Sequence, residues 1–457
     1  MKQKDLNTRC EHMRCERDVN TRKMTGGGGH RSEPQASRSE NLNTATGIPD
    51  SGEDFLPVII GTDLNAYYMA RCFHDAYSIR PLVLGKQASL FTSYSSILDL
   101  QIIGDLWDEK LLVSTLISTA EKLHARYDKL LLVATNDFYV RLVVNNADVL
   151  SRHYLFNYVS SEVLDCVQIK SNFYELCRNH HIDIPDTVLL NVGESASIPK
   201  DMPRFPIIVK PANGDMYYRH HFDGQKKVYR LENAEELKET VRVIAESGYS
   251  DALICQEFIP GDDTYLYDMV VYVDCLGSTR AVSFAQVLLQ EHAPTAIGNL
   301  TALVSRSDPE YMDKLTAFAE DVGFRGFGNF DIKFDSRDGT YKLLELNVRQ
   351  GRSSYYMTAQ GSNMATLLVD DLVKNKSKDV VNAAVLHDEP VLFSIVPLML
   401  VLWYARKFRL ILEVLRLKLS GRAVNPLRNP KETSFKRLGR RVIRHIKYYQ
   451  KYVLNTW

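Results

Sequence analysis

The stretch LLELNVRQGRSS (343–354) is an apolar strand carrying Glu345, Asn347 and Arg349 at alternate positions before it breaks at Gly351. Side chains alternate faces along a strand, so these three project together. An edge strand with one wet face has the same pattern. Upstream, NFDIKFD (329–335) runs into the turn RDG (337–339), where Gly339 suits a positive φ. A three-residue loop at 337–339 places Asp331 directly opposite Glu345, with Cβ atoms roughly 5 Å apart. A two-residue loop would send the two acids to opposite faces. Opposed carboxylates repel, and a divalent cation between them removes the repulsion. With the neutral oxygen of Asn347, the set Asp331, Glu345 and Asn347 is oxygen-only and suits Mg²⁺ held together with substrate phosphates.

Two further stretches carry chemistry. Lys210 ends the apolar run FPIIVKP (205–211), either as a surface lysine or as a point charge reaching a phosphate. The polar loop after it, 213–226, contains Gly214 and Gly224 and is long enough to fold over phosphates. CQEFIPGDD (255–263) is an apolar strand ending in Pro-Gly and two acids. Such a strand end can bond an adenine edge and an acid past it can hold a ribose, although Pro-Gly-Asp is also common turn chemistry. Together these stretches describe a nucleoside triphosphate site.

The elements that must position these residues fall into an α/β part followed by an α+β part. In 54–164, FLPVIIGTDLNAYYMARCFHDAY (55–77) and DKLLLVATNDFYVRLVVNNADVL (128–150) each read as strand, polar turn and helix, the parallel α/β pattern. Asp63, Asn65, Asn136 and Asp137 stand in those turns, where such sheets bind ligands unless the unit is only a scaffold. Neither turn carries G-x-G-x-x-G, which argues against a nicotinamide or flavin site. In 165–376, runs of antiparallel-looking strands alternate with isolated helices at 233–247 and 308–322, an α+β arrangement. Residues 377–457 form a basic, mainly helical region.

The whole chain is neutral, 45% hydrophobic and 25% charged, a globular composition that gives no global reason to expect nucleic acid. The charge is uneven: from Tyr404 to Trp457, 15 Lys and Arg face two acids, so this segment either solvates its helix faces or meets an anionic partner. Residues 1–53 are polar and include GGGG, which predicts disorder. Seven scattered cysteines without a framework favour a reducing cytoplasm, and no secretory signal is expected. The apolar run VLFSIVPLMLVLWYA (391–405) is too short for a bilayer span and reads as buried core, or as a surface-lying segment given the RKFR after it.

Lys210 after an apolar strand, QEFIPGDD, and Asp331 with ELNVR resemble the ATP-grasp superfamily. SNFYELCRNHHIDIPDT, NFDIKFD and ELNVRQGRSSYYMTAQG resemble its carboxylate–amine ligases typified by bacterial D-aspartate ligase, over roughly residues 55–376. The resemblance implies a Rossmann-like domain preceding two α+β lobes that clasp ATP. It implies Lys170 and Lys210 on the ATP phosphates, Gln256, Glu257, Phe258 and Ile259 at the adenine, and Asp263 at the ribose. It implies one or two Mg²⁺ ions on Asp331, Glu345 and Asn347, Arg349 facing the γ-phosphate, and Arg352 near a substrate carboxylate. The implied reaction makes an amide through an acyl phosphate, joining the β-carboxylate of D-aspartate to a lysine side chain of a peptidoglycan precursor. The basic tail would then touch that anionic precursor or an anionic membrane, giving a cytoplasmic, membrane-peripheral enzyme. The alternatives are a ligase for another amino acid or peptide, and a non-catalytic ATP-binding protein on the same fold. The sequence shows no Ser/His or Cys/His nucleophile arrangement and leaves the oligomeric state open.

Overall fold

The computed structural model describes residues 52–104, 106–192, 199–212, 214–293, 296–376 and 389–455. All but the last two residues of the segment expected to be disordered, 1–53, lie outside the described residues.

Three sheets organise the chain. The first is parallel, in the order β3 (Asp99–Ile102), β2 (Leu82–Gly85), β1 (Phe55–Ile60), β4 (Lys129–Ala134). β1 and β4 are almost wholly buried along FLPVII and KLLLVA, as strands covered on both faces must be. Each leads through a short turn into a helix with a side-chain cap. Asp63 Oδ1 accepts from Ala66 N (3.0 Å) at the start of Leu64–Tyr77, and Asn136 Oδ1 accepts from Tyr139 N (2.9 Å) at the start of Asp137–Asn145. Because β1 and β4 are neighbours, their two polar turns open side by side.

The second sheet is antiparallel, in the order β5 (Thr187–Asn191), β8 (Ala252–Glu257), β6 (Ile207–Pro211), β7 (Tyr229–Leu231). It packs on the helix Ala234–Glu246 around Leu237, Val241, Ile244 and Leu253. The segment expected to be an open polar loop is in part a helical turn, Gly214–Tyr217. Tyr217 pins it: its ring is buried in the same core and its hydroxyl meets Tyr229 Oη at 2.6 Å. Asn213 lies outside the described residues.

The third sheet has seven strands: β13 (Thr340–Asn347), β12 (Gly326–Asp335), β9 (Leu266–Val273), β10 (Thr279–Gln290), β11 (Leu300–Arg306), β14 (Leu392–Ser394) and β15 (Ala423–Val424). The last two come from the C-terminal region. That region, read from sequence as a separate helical unit, therefore completes the central sheet: β14 pairs with β11, and β15 with β14. Its helices are Leu398–Ala405, Phe408–Leu419 and Phe435–Leu454. The apolar run 391–405 is only half core. Leu392, Phe393, Ile395 and Val401 are buried, whereas Met399 and Trp403 are exposed.

The basic tail is also tied down. Arg71 NH1 of the first helix donates to Pro426 O (2.7 Å), Tyr67 Oη to Glu432 Oε2 (2.5 Å) and Tyr452 Oη to Gln290 O (2.7 Å). Arg437 and Arg444 are buried.

Candidate active site

A cleft of about 1280 Å³ opens where the three sheets meet. It exceeds the ~300–1,000 Å³ typical of small-molecule pockets. Lys170, Lys210, Gln256, Glu257, Phe258, Ile259, Asp331, Glu345, Asn347, Arg349 and Arg352 all line it, and so do Asp63, Asn65, Asn136 and Asp137 from the turns of the parallel sheet.

The acid hairpin has the expected pairing, reached by another route. Asp331 faces Glu345 and Asn329 faces Asn347, but at the turn Asp335 faces Thr340. The loop is thus four residues, Ser336 to Gly339, not three. A β-bulge, in which Leu344 is skipped between Glu345 and Leu343, adds the residue that brings the acids back into register. Gly339 takes the positive φ of 75° that the turn requires.

A third carboxylate joins the row. Asp268 of β9 faces Asp331 from the other side, so acids stand abreast on three neighbouring strands. Burial, reinforced by the facing Glu345 and Asp268, pushes the Asp331 carboxyl up to about 7. Burial raises Asp268 to about 6, against hydrogen bonds from Ser353 Oγ (2.7 Å), Asn329 Nδ2 (3.2 Å) and Tyr356 Oη (3.1 Å). Glu345 moves the other way. Lys170, whose Nζ stands 3.5 Å from Oε2, holds its carboxyl below the usual range.

The strand ends at Asn347, short of the expected run through 349, so Arg349 lies in the bend beyond it; the two residues carry the row towards the parallel sheet. Asn347 turns its amide nitrogen to Asp331 Oδ2 (3.3 Å) and its oxygen to Arg349 NH2 (3.2 Å). Arg349 also donates to Asp137 Oδ2 (3.0 Å), the first residue of the helix after β4. The turn after it is held tightly. Tyr68 Oη donates to Gly351 O (2.6 Å), and a Cβ on Gly351 would stand 1.5 Å from Asn329 Oδ1, so only glycine fits. Arg352 makes no hydrogen bond among the described residues; its charge acts on Asp63, the buried cap of the first helix.

Lys210 Nζ donates to Gln256 Oε1 (3.1 Å), and Gln256 in turn donates to Thr187 Oγ1 and Tyr174 Oη. The Glu257 carboxylate pairs with Arg337 (2.6 Å) and accepts from Asp186 N (3.1 Å). The Phe258 ring lies 4.3 Å under the Arg230 guanidinium.

Asp263 departs from expectation. It is not part of the cleft wall, and its carboxylate is taken up by Gln290 N (3.0 Å), Gln290 Nε2 (2.8 Å) and His292 Nε2 (3.1 Å). In this geometry Gln290, which it holds, lines the cleft in its place. Sequence reasoning also missed Asp268 and Lys227. Asp268 sits in YLYDMVVYV as one polar residue in a buried strand. Lys227 lines the cleft, acts electrostatically on both Asp331 and Glu345, and donates to Ile297 O (3.1 Å).

No family model matches the chain. It is 33% identical over 328 residues to the D-aspartate ligase of Enterococcus faecium (strain Aus0004), covering 71% of this chain and 78% of that protein. The chain belongs to the D-aspartate ligase-like ATP-grasp carboxylate–amine ligases. Solved structures agree on the fold. An L-amino acid ligase from Bacillus licheniformis superposes with TM-score 0.52 at 14% identity, covering 70% of this chain and 74% of its own. The biotin carboxylase domain of Hydrogenobacter thermophilus 2-oxoglutarate carboxylase, solved with MgADP, superposes with TM-score 0.55 at 13% identity, covering 73% of each.

In this ATP-dependent carbon–nitrogen ligase the donor chemistry of the acid row fits a hard divalent cation. Two opposed carboxylates, one of them pushed up to about 7 by burial and by the acids beside it, would gain by such an ion. Among the described residues no cluster of three or more His, Cys, Asp or Glu is arranged as a complete metal cage. Mg²⁺ is usually held by one or two carboxylates together with substrate phosphates, and Asp331 and Glu345 are the residues that would supply them.

Proposed function

We propose that this ligase joins the β-carboxylate of D-aspartate to the lysine side chain of a peptidoglycan precursor at the expense of ATP. The observation that carries the chemistry is the gathering, in one cleft, of an acid pair of metal-binding type with Lys170, Lys210, Lys227 and Arg352. The substrate reading is supported by the likeness to a D-aspartate ligase over most of that protein's length.

Lys170, Lys210 and Lys227 offer point charges to the phosphates, and the strand end Gln256–Ile259 takes the adenine. Asp331 and Glu345 would hold Mg²⁺; Asn347, whose amide nitrogen faces Asp331 and whose oxygen accepts from Arg349, would add its oxygen only by turning the amide over. Bound there, Mg²⁺ neutralises charge developing on the phosphoryl oxygens. Arg349, braced by Asp137 and Asn347, presents a fixed cation to the γ-phosphate. Arg352, with no hydrogen-bond partner, is available to the substrate carboxylate. The carboxylate attacks the γ-phosphorus and ADP leaves. The amine then attacks the acyl carbon, and phosphate leaves as the amine proton is lost. Preorganised cations stabilise both steps without reorganising during the reaction. The turns at Asp63, Asn65 and Asn136 form the wall at which the amino acid sits.

The basic C-terminal region belongs to the same reading, as the part that meets an anionic membrane surface peripherally from the cytoplasmic side. We also keep 54–164 and 165–376 as the two functional units of the cleft.

The test is ATP-dependent phosphate release by the purified protein across D- and L-amino acids, with and without a lysine-containing muramyl peptide. Stimulation by D-aspartate, and further by the peptide, is expected. Stimulation by a different amino acid alone would remove the D-aspartate assignment and leave the ligase class standing.

A further inference from the structure

Three consecutive helices of the C-terminal region turn aliphatic side chains outwards in helical register. On Leu398–Ala405 these are Met399 and Trp403, 67% and 79% exposed and one turn apart. On Phe408–Leu419 they are Phe408, Leu412, Leu415 and Leu419, spaced by four, three and four residues, while Leu410, Val414 and Leu417 pack inwards. On Phe435–Leu454 they are Leu438, Val442, Ile446, Tyr449 and Val453, again at helical spacing.

That last helix is inverted relative to a core helix. It buries Arg437, Arg444, Tyr448 and Tyr452, and leaves its aliphatic stripe in solvent. The three helices are connected: the first packs on the second, and Tyr404 Oη of the first donates to Tyr452 O of the third (3.0 Å).

Charge selects what covers these stripes. From Tyr404 onward 15 cations face two acids, and both acids are spent internally: Glu413 on Arg306 (2.5 Å) and Glu432 on Arg437 (3.0 Å). Arg409, Arg416, Lys418 and Lys447 enter none of the ion pairs among the described residues. A second copy of the chain would bring this cationic face against itself, which like-charge repulsion disfavours. Aliphatic and aromatic side chains flanked by Lys and Arg on amphipathic helices are instead what an anionic bilayer surface accepts. No helix of the described residues is long and apolar enough to cross a membrane, so the contact would lie in the plane of the interface.

We propose that the outward faces of helices 398–405, 408–419 and 435–454 form a docking surface for an anionic phospholipid bilayer. The stripes enter the headgroup–acyl boundary and the flanking cations meet the lipid phosphates. The inference rests on the peripheral-contact reading of the basic region and is independent of the substrate reading.

The experiment is co-sedimentation of the full chain with vesicles of phosphatidylglycerol and phosphatidylethanolamine in equal parts, against phosphatidylcholine vesicles. Binding at least about tenfold stronger to the anionic vesicles is expected, weakening as salt is raised. The triple variant Trp403→Ser, Leu412→Ser, Val453→Ser should lose about tenfold of that binding. All three positions are solvent-exposed, so its thermal midpoint and its ATP turnover without vesicles should stay at the wild-type values. If the variant binds as well as the wild type, the contact is carried by charge alone and the stripe inference fails. Equal wild-type binding to both vesicle types overturns the peripheral-contact reading as well. A wild-type dimer in solution that the triple variant dissolves, with no vesicle binding, would assign the face to a second copy and overturn the proposal. None of these outcomes bears on which amino acid the cleft ligates.

Discussion

The acid row in the cleft, with Asp268 buried and Asp331 and Glu345 half-buried, and the buried arginine pair of the C-terminal helix both crowd like charges, and the chain treats them oppositely. Arg437 is answered within the fold: Nε meets Glu432 Oε2 (3.0 Å), NH1 meets Ser93 O (3.2 Å), and the guanidinium lies 4.4 Å over the Tyr67 ring. Glu432 is answered in turn by Tyr67 Oη, Ser95 Oγ and Ser96 N. Arg444 is left more weakly matched, and burial lowers its pKa to about 10, yet Phe91 faces it across 5.8 Å. At Asp331 no cation of the fold makes contact with the carboxylate, and the group sits near 7. Charge balanced inside the fold serves structure. Charge left unbalanced on the wall of a cleft serves a ligand that brings the balance with it.

The largest effect expected from that contrast is on turnover. Glu345→Ala removes half of the acid pair and leaves Lys170 without its partner, so ATP-dependent phosphate release should fall by about 10²–10³-fold, the usual loss when one electrostatic stabiliser is deleted. The circular dichroism spectrum should not change. A fall of less than tenfold would remove Glu345 from the reaction and leave the ligase class standing.

Glu432→Ala makes the converse cut. It strands Arg437, and breaking one side of a buried pair costs roughly 3–5 kcal/mol of stability. Chemical denaturation should show the loss directly. Turnover per folded molecule should hold, because no atom of Glu432 lines the cleft. Unchanged stability would mean that the tail is not held by this pair.

What the sequence made legible follows the same division. Asp331 and Glu345 could be paired because alternation and one turn glycine set their faces, although the bulge at Leu344 compensated for a loop one residue longer than expected. Local pattern also gave the strand-turn-helix units that bring Asp63 and Asp137 to the cleft. The tether on Asp263 was not legible because its partners, Gln290 at the end of a strand and His292 just past it, stand 27 and 29 residues on, and no local signal tells a tethered carboxylate from a free one. Asp268 stayed hidden for a related reason: its meaning comes only from standing across from Asp331. The helix Phe435–Leu454 reads as amphipathic in either environment, and only packing showed that its arginines, not its aliphatics, face the protein.

Arg352 tests the unpaired side of the comparison at smaller amplitude. It makes no hydrogen bond among the described residues, so Arg352→Ala should leave the denaturation midpoint in place. Loss of one charged hydrogen bond to a substrate carboxylate is worth about 1.5–3 kcal/mol, which raises KM for the acyl donor by roughly 10–100-fold. A matching fall in kcat with KM unchanged would move Arg352 from substrate binding to the phosphoryl transfer itself.

The smallest expected effect is a slope in pH. Asp331 has an ordinary value of 3.8 and is raised to about 7 in the folded chain. Between those values the folded state keeps a proton that the unfolded state has released, so the stability of the ligand-free protein falls as pH rises across the window. Asp268, raised to about 6, adds the same sign over a narrower range. Glu345, held below its ordinary 4.5, contributes stability that is present above that value and lost only in more acidic solution, so it does not mask the slope. Denaturant midpoints of the wild type should therefore decline from about pH 5 to about pH 7, and Asp331→Asn should decline less. Added Mg²⁺ should recover the wild type most above neutrality, where binding need not displace the Asp331 proton, and should do little for the variant. Identical slopes in the two proteins would mean that the facing acids do not repel, and with that the physical reason for a cation between them disappears.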